Sequence, residues 1–318
     1  MDVEFAVRYP FSSEARKVLQ DIEASWNEPA MELGIERIKK ALGNKLGRST
    51  AMHREEQLEE IVAYAAARLL LGHVRNRFIT NTFAVAEAKR ASQYFHQEKE
   101  GTLEVLGEEL GCVAHREETG YWIALPQYVR FAPGAPPYKL VNRRLQQGKV
   151  FVNRHERLRL LEEAVRLHVG RLKPVLDPPP SVKKAGEQLK KIIPPAETPS
   201  IAFQTGSHPP CIQQLLEDLK RHENLPHHAR WYLAVYLLHT GMVVEQLISL
   251  YSNLPDFNEK ITRYQIEHAQ KKGYSIPTCA TVKSWGISCP GCRRKSPLQW
   301  PGLRQGGTHE RKGKKPDS

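Results

Sequence analysis

"SIPTCATVKSWGISCPGC", Ser275–Cys292, holds three of the chain's five cysteines within fourteen positions: Cys279, Cys289 and Cys292. A closed four-sulfur site needs one more thiolate. Where that thiolate comes from decides how much distant sequence the fold must gather. Cys112, in "LGEELGCVAH", ends an apolar helical pattern with no His or Cys at ligand spacing. It reads as a buried structural thiol. Cys211 follows "GSHPP" and opens "CIQQLLEDLKRHENL", where Ile212, Leu215, Leu216 and Leu219 mark the buried face of a helix. A cysteine at a helix N-terminus meets the positive end of the dipole, which favours the thiolate a metal needs. Cys211, Cys279, Cys289 and Cys292 are therefore expected to form one site, closing a loop of nearly seventy residues.

Four thiolates suit zinc or an iron–sulfur cluster, and ligand count does not choose between them. The spacing, one distant Cys and then C-x9-C-x2-C, matches neither common zinc-ribbon pairs nor ferredoxin runs. His208 and His268 are alternatives for one sulfur.

The chain has 318 residues, enough for two or three domains. Its opening, "MDVEFAVRYPF", lacks the pattern of a signal peptide. The most apolar window, "WYLAVYLLHTGMVVEQLISL", is interrupted by His239, Glu245 and Gln246, so buried helices are expected rather than a membrane span. A cytosolic location follows as the expectation, where an odd cysteine count suggests metal binding before disulfides. A net charge of +12 favours an anionic partner, with nucleic acid the first candidate.

The pattern is mainly α. Residues 1–111 read as a helical body, with Leu58, Ile61, Val62, Ala65, Leu69 and Val74 near helical spacing. Residues 112–172 read as a small α/β subdomain. In it "YKLVNRRLQQ" is expected as a short helix stopped by Gly148, "KVFVN" as a strand, and "HERLRLLEEAVRLHVGRL" as an amphipathic helix. Residues 173–200 contain seven of the chain's 22 prolines and read as an extended Pro/Lys-rich linker. Residues 201–300 are the cysteine-bearing helical domain. The tail, 301–318, reads as basic and disordered; from Arg293 onward eight Lys/Arg stand against two acids.

The C-terminal domain resembles the iron–sulfur domain of the large subunit of archaeal and eukaryotic DNA primase. The likeness is carried by "HPPCIQQLLEDLKRHENLPHHARWYLAVYLLHTGMVVEQLISLY", then "ITRYQIEHAQKKG", then the three cysteines after "IP". The N-terminal half is similar more weakly, through a helical body and "KLVNRRLQQGKVFVN" before a long helix. The close pair of last cysteines looks like the archaeal form.

The resemblance implies a [4Fe–4S] cluster on the four cysteines. It implies a non-catalytic subunit whose partners are a catalytic small subunit, single-stranded DNA template, RNA or DNA primer, and nucleoside triphosphates. The chain itself shows no strand-framed Asp-x-Asp pair for two-metal phosphoryl transfer and no Gly-rich phosphate loop. The small α/β subdomain would dock the catalytic subunit, with Phe151 and Val152 near the contact; strand alternation places these two on opposite faces. His227 and Arg230 share one face at a helix start, distinct from an apolar stripe of Trp231, Ala234, Val235 and Leu238. They would hold the initiating triphosphate. Tyr251, Tyr264 and His268 would stack on bases or sugars. The family often carries Lys or Arg where Pro226 and Leu238 stand here. The alternative reading is an iron–sulfur or zinc nucleic-acid-binding protein of DNA repair with no primase partner.

Overall fold

The computed structural model describes residues 2–192, 208–287, 289 and 291–300. Two compact units divide the chain. The first begins with α1 (Val3–Arg8) and α2 (Ser13–Asp21), then three longer helices: α3 (Glu28–Leu42), α4 (Arg54–Val74) and α5 (Arg77–Phe95). Asp2, Ser12, Asn27 and Asn76 cap α1, α2, α3 and α5 by accepting first-turn N–H groups. Helices α3 and α4 cross at Gly34, where an added Cβ would lie 2.9 Å from the Ala66 backbone. Only glycine permits so close a crossing.

Helix α5 buries Ile79, Phe83, Ala88 and Phe95, and it also buries charge. Arg37 of α3 grips Glu87 of α5 through two bonds of 2.6 and 3.0 Å. Arg90 donates to the carbonyls of Gly47, Arg8 and Val7 and to the Glu60 carboxylate. Helix α6 (Glu100–Leu110) then stops at Gly111, in the left-handed region. Cys112 follows, buried as expected, and burial pushes its thiol up to about 12.

The α/β part comprises β1 (Ala114–Glu117), β2 (Gly120–Ala124), α7 (Leu125–Phe131), β3 (Leu145–Gln146), β4 (Lys149–Val152) and α8 (Arg154–Gly170). The four strands form an antiparallel sheet in the order β1-β2-β4-β3. Tyr121, Ile123, Val150 and Val152 turn inward, while Trp122 and its partner Phe151 occupy the other face. Asn153 and Glu156 form a capping box at the start of α8.

Two expectations are corrected here. "YKLVNRRLQQ" is not an α-helix: it holds a 3₁₀ turn at Leu140–Asn142 and strand β3. Gln147 and Gly148 both take positive φ, the geometry of a primed hairpin turn, so Gly148 turns a hairpin instead of ending a helix. Arg143 pulls this segment open, with two bonds to Glu156 at 2.6 and 2.7 Å and one to the Phe151 carbonyl at 2.6 Å. The second correction concerns the stretch expected as an extended linker. It contains α9 (Pro180–Ile192), with Val182, Ala185 and Leu189 buried against the first unit. Proline is tolerated at a helix's first position, and three apolar residues at i, i+3 and i+7 are enough to anchor it. Ser181 Oγ donates to the Trp26 carbonyl at 2.6 Å. Gly186 lets α9 approach His73, where an added Cβ would be 2.6 Å from the ring. Residues 193–200 of the expected linker, and the expected tail 301–318, lie outside the described residues.

The second unit contains α10 (Pro210–Lys220), α11 (His227–His239), α12 (Val244–Tyr251), α13 (Glu259–Lys272) and α14 (Cys279–Ser284). Helix α11 is its centre. It buries Ala229 and the unbroken run Tyr232–Leu237, so the expected stripe of Trp231, Ala234, Val235 and Leu238 is too narrow, and Trp231 and Leu238 sit at its margins. Helix α13 buries only Ile266 and Ala269 and leaves the rest of its surface open. The fold is mainly α with one small sheet, as the sequence indicates. Among the described residues no helix is long and apolar enough to cross a membrane.

Candidate metal centre and nucleic-acid interface

Pro209 and Pro210 deliver Cys211 into the first turn of α10, where the Pro209 carbonyl accepts from Ile212 and Gln213 at 2.9 and 3.0 Å. Cys279 opens α14 behind its cap Thr278, whose side chain accepts from Thr281. The Cys279 N–H donates to the Lys295 carbonyl at 3.0 Å, which ties this helix to the chain beyond Cys292. The Cys292 N–H donates to the Cys289 carbonyl at 3.1 Å, and Gly291 has φ +77. That is a tight turn with positive φ at its third residue, and it turns the two cysteines toward each other.

All four cysteines line one cavity, together with Pro209, Tyr232, Val282, Ile287, Pro297 and Trp300, while Lys283 and Arg294 also border it. His208 and His268 do not line it. Burial, then the neighbouring Cys211 and Cys292, raises the Cys279 thiol above its ordinary value, and the same influences push Cys289 up to about 12. Neighbouring thiols resist ionising together unless a cation joins them, so by donor chemistry, though not by convergence on a single ion, four sulfurs on one cavity suit a multi-metal core. Among the described residues, no three of Cys, His, Asp and Glu converge closely enough to grip one metal ion. Tyr232 Oη stands 3.3 Å from Cys211 Sγ.

The other predicted residues separate. His227 is exposed at the first position of α11. Arg230, one turn on and half-buried, donates from Nε to the Leu225 carbonyl at 2.7 Å. Tyr264 is 68 % exposed and its ring stacks on His268 at 6.0 Å, so these two do meet on an open face. Tyr251 is a correction. It is 3 % exposed and donates its hydroxyl to the Arg230 carbonyl. With no open ring face, it braces α11 and offers no stacking surface.

The sequence reading missed that Tyr264 and His268 begin a longer row of rings. His268 meets Tyr274 at 6.0 Å, Tyr274 meets Trp231 at 5.6 Å, Trp231 meets Trp285 at 6.1 Å, and Trp285 meets His228 at 5.8 Å. The row therefore ends beside His227. Two histidines of α11 hold its loops: His239 Nε2 lies 2.7 Å from the Tyr274 carbonyl and His228 Nε2 lies 3.2 Å from that of Trp285. The available signal was an aromatic residue immediately after each of two helix ends, Tyr274 after Gly273 and Trp285 after Ser284.

In the small sheet, Val152 is fully buried and belongs to the core, which removes it from any contact surface. Phe151 lies on the opposite face, edge-on to Trp122 at 5.3 Å, with the Arg144 guanidinium over both rings at 5.3 and 5.6 Å. Gly120 makes the room: a Cβ there would be 2.5 Å from the Phe151 ring. The same subdomain exposes Val129, Leu140, Val141 and Leu145.

Residues 202–306 match the family described as the C-terminal domain of the large subunit of eukaryotic and archaeal DNA primase. The chain is similar to the DNA primase large subunit PriL of Methanosarcina mazei, at 32 % identity over 92 % of this chain and 84 % of that protein. The PriL proteins of Methanosarcina acetivorans and Methanocella arvoryzae are 32 % and 31 % identical over the same shares. The chain belongs to the archaeal-type DNA primase large subunit family. The family likeness thus extends through the N-terminal unit as well as the cysteine-bearing one.

Proposed function

We propose that the chain is the non-catalytic large subunit of a two-subunit DNA primase. Its C-terminal unit holds the template and the 5′-triphosphate start of the primer, and its small sheet docks the catalytic subunit. Four cysteines drawn from both ends of the C-terminal unit onto one cavity carry this reading, because they match the ligand set of the family's [4Fe–4S] domain. Cys211, Cys279, Cys289 and Cys292 would each supply a thiolate. When bound, the cluster supplies a cross-link that closes the domain.

The remaining work falls to the chain's own side chains. His227 and Arg230 stand on the first turn of α11, where the positive end of the helix dipole favours a phosphate. The ring row from Tyr264 to Trp285 is suited to stacking on unpaired bases, which every base tolerates. Holding template and first nucleotide together removes most of the entropic cost of joining two nucleotides. Phe151 and Trp122, stiffened by Arg144, form the anchor on the sheet's open face toward the small subunit.

Co-expression with a catalytic small subunit tests the reading through Arg230→Ala. Losing a charge-assisted contact costs about 1.5–3 kcal/mol, so dinucleotide formation falls roughly ten- to a hundredfold. Extension of a ready-made primer, whose chemistry lies on the other subunit, stays near wild type. Equal loss of both activities in a mutant that keeps its iron would remove this face as the initiation site.

A further inference from the structure

We infer that Tyr232 tunes the cluster, donating its hydroxyl to the Cys211 thiolate and raising the reduction potential. The inference rests on the cluster reading above. Tyr232 is fully buried on α11, and its hydroxyl lies 3.3 Å from the sulfur of Cys211, itself buried at the start of α10. Between a free thiol and a phenol, either atom donates. A metal-bound thiolate has no proton, so ligation fixes the direction: the phenol gives and the sulfur accepts. The surrounding run Leu233–Leu237 is buried, so the donor is held by a packed helix and not by a loop.

The electrostatic consequence has a definite sign. A core bound by four thiolates gains one negative charge on taking up one electron, and the phenol keeps its proton. A donor aimed at a ligand sulfur stabilises the more negative state and moves the potential upward. Tyr236, one turn along the same helix and equally buried, provides the contrast. Its hydroxyl meets His208 Nδ1 at 3.1 Å.

The test uses the full chain purified without oxygen, with iron and sulfide counted and the potential read by electron paramagnetic resonance during titration with dithionite. Tyr232→Phe is expected to keep its iron and to lower the reduction equilibrium constant about tenfold, 59 mV for a one-electron couple. Tyr236→Phe is expected to leave the potential in place. Should Tyr232→Phe lose its iron, a ring-fluorinated tyrosine placed at position 232 keeps the hydroxyl and makes it a stronger donor, so the potential moves upward. An unchanged potential in either iron-loaded variant overturns the role given to Tyr232. A wild-type chain free of iron is a separate readout: it overturns the cluster reading, and the inference with it.

Discussion

Tyr264, on the open helix α13, keeps 68 % of its surface open, whereas Tyr251, at the end of the largely buried α12, keeps 3 %. Replacing Tyr264 by Ala is expected to weaken single-stranded DNA binding by about 1–3 kcal/mol, with thermal unfolding unchanged. Tyr251→Phe is expected to do the reverse, lowering stability by about 1 kcal/mol and sparing the affinity. Anisotropy and calorimetry on the same samples decide; a Tyr264→Ala chain that binds as well as wild type would dismiss the platform. At Glu156, hydrogen bonds from Arg143 hold the carboxyl below the usual carboxylate range. A depressed folded pKa means that its stabilisation is present above the ordinary glutamate pKa. It is lost as pH falls through the lowered value. Glu156→Gln should therefore flatten the acid side of the stability curve, as followed by tryptophan fluorescence.

Elements explain where local pattern and fold part company. The hairpin between β3 and β4 lacks the Asn-Gly pair that signals such turns, having Gln147 in the left-handed region instead. No strong turn signal therefore competed with reading "YKLVNRRLQQ" as a helix stopped by Gly148. Gln147→Asn removes that mismatch and is expected to raise stability by up to about 1 kcal/mol, seen as a higher denaturant midpoint; a lower midpoint refutes the turn assignment. Helix α9 was hidden by its composition, because prolines and lysines surround only three inward apolar positions. Its buried Leu189 should cost about 2–5 kcal/mol when cut to Ala. Hydrogen exchange should then accelerate in α9 and in the α3 and α4 backbones it covers. Unchanged exchange there would mean that α9 does not anchor the unit.

Across the whole molecule, the mainly helical class, the small sheet and the placing of Cys211, and not Cys112, beside the three later cysteines were legible. They depend on periodicity, on burial and on helix starts, all of which are local. The ring row was not legible, because Trp231, Tyr274 and Trp285 come from one helix and two separate loops and meet only after α11 is packed. The two cysteines give a further check on the units. Cys211→Ser should release iron and loosen the C-terminal unit alone, whereas Cys112→Ser should keep the iron; iron retained in Cys211→Ser would strike that residue from the ligand set. The bracketing of the second unit by its cysteines also has a consequence in time. Cys211 leaves the ribosome 81 residues before Cys292. At about 5–20 residues per second the first sulfur waits roughly 4–16 s for the last. Under the proposed cluster, the nascent chain carries during that interval a thiol that has not yet gained its metal, open to peroxide and to mispairing. Oxygen present during synthesis should therefore spoil the second unit while the first, already released and folded, survives intact.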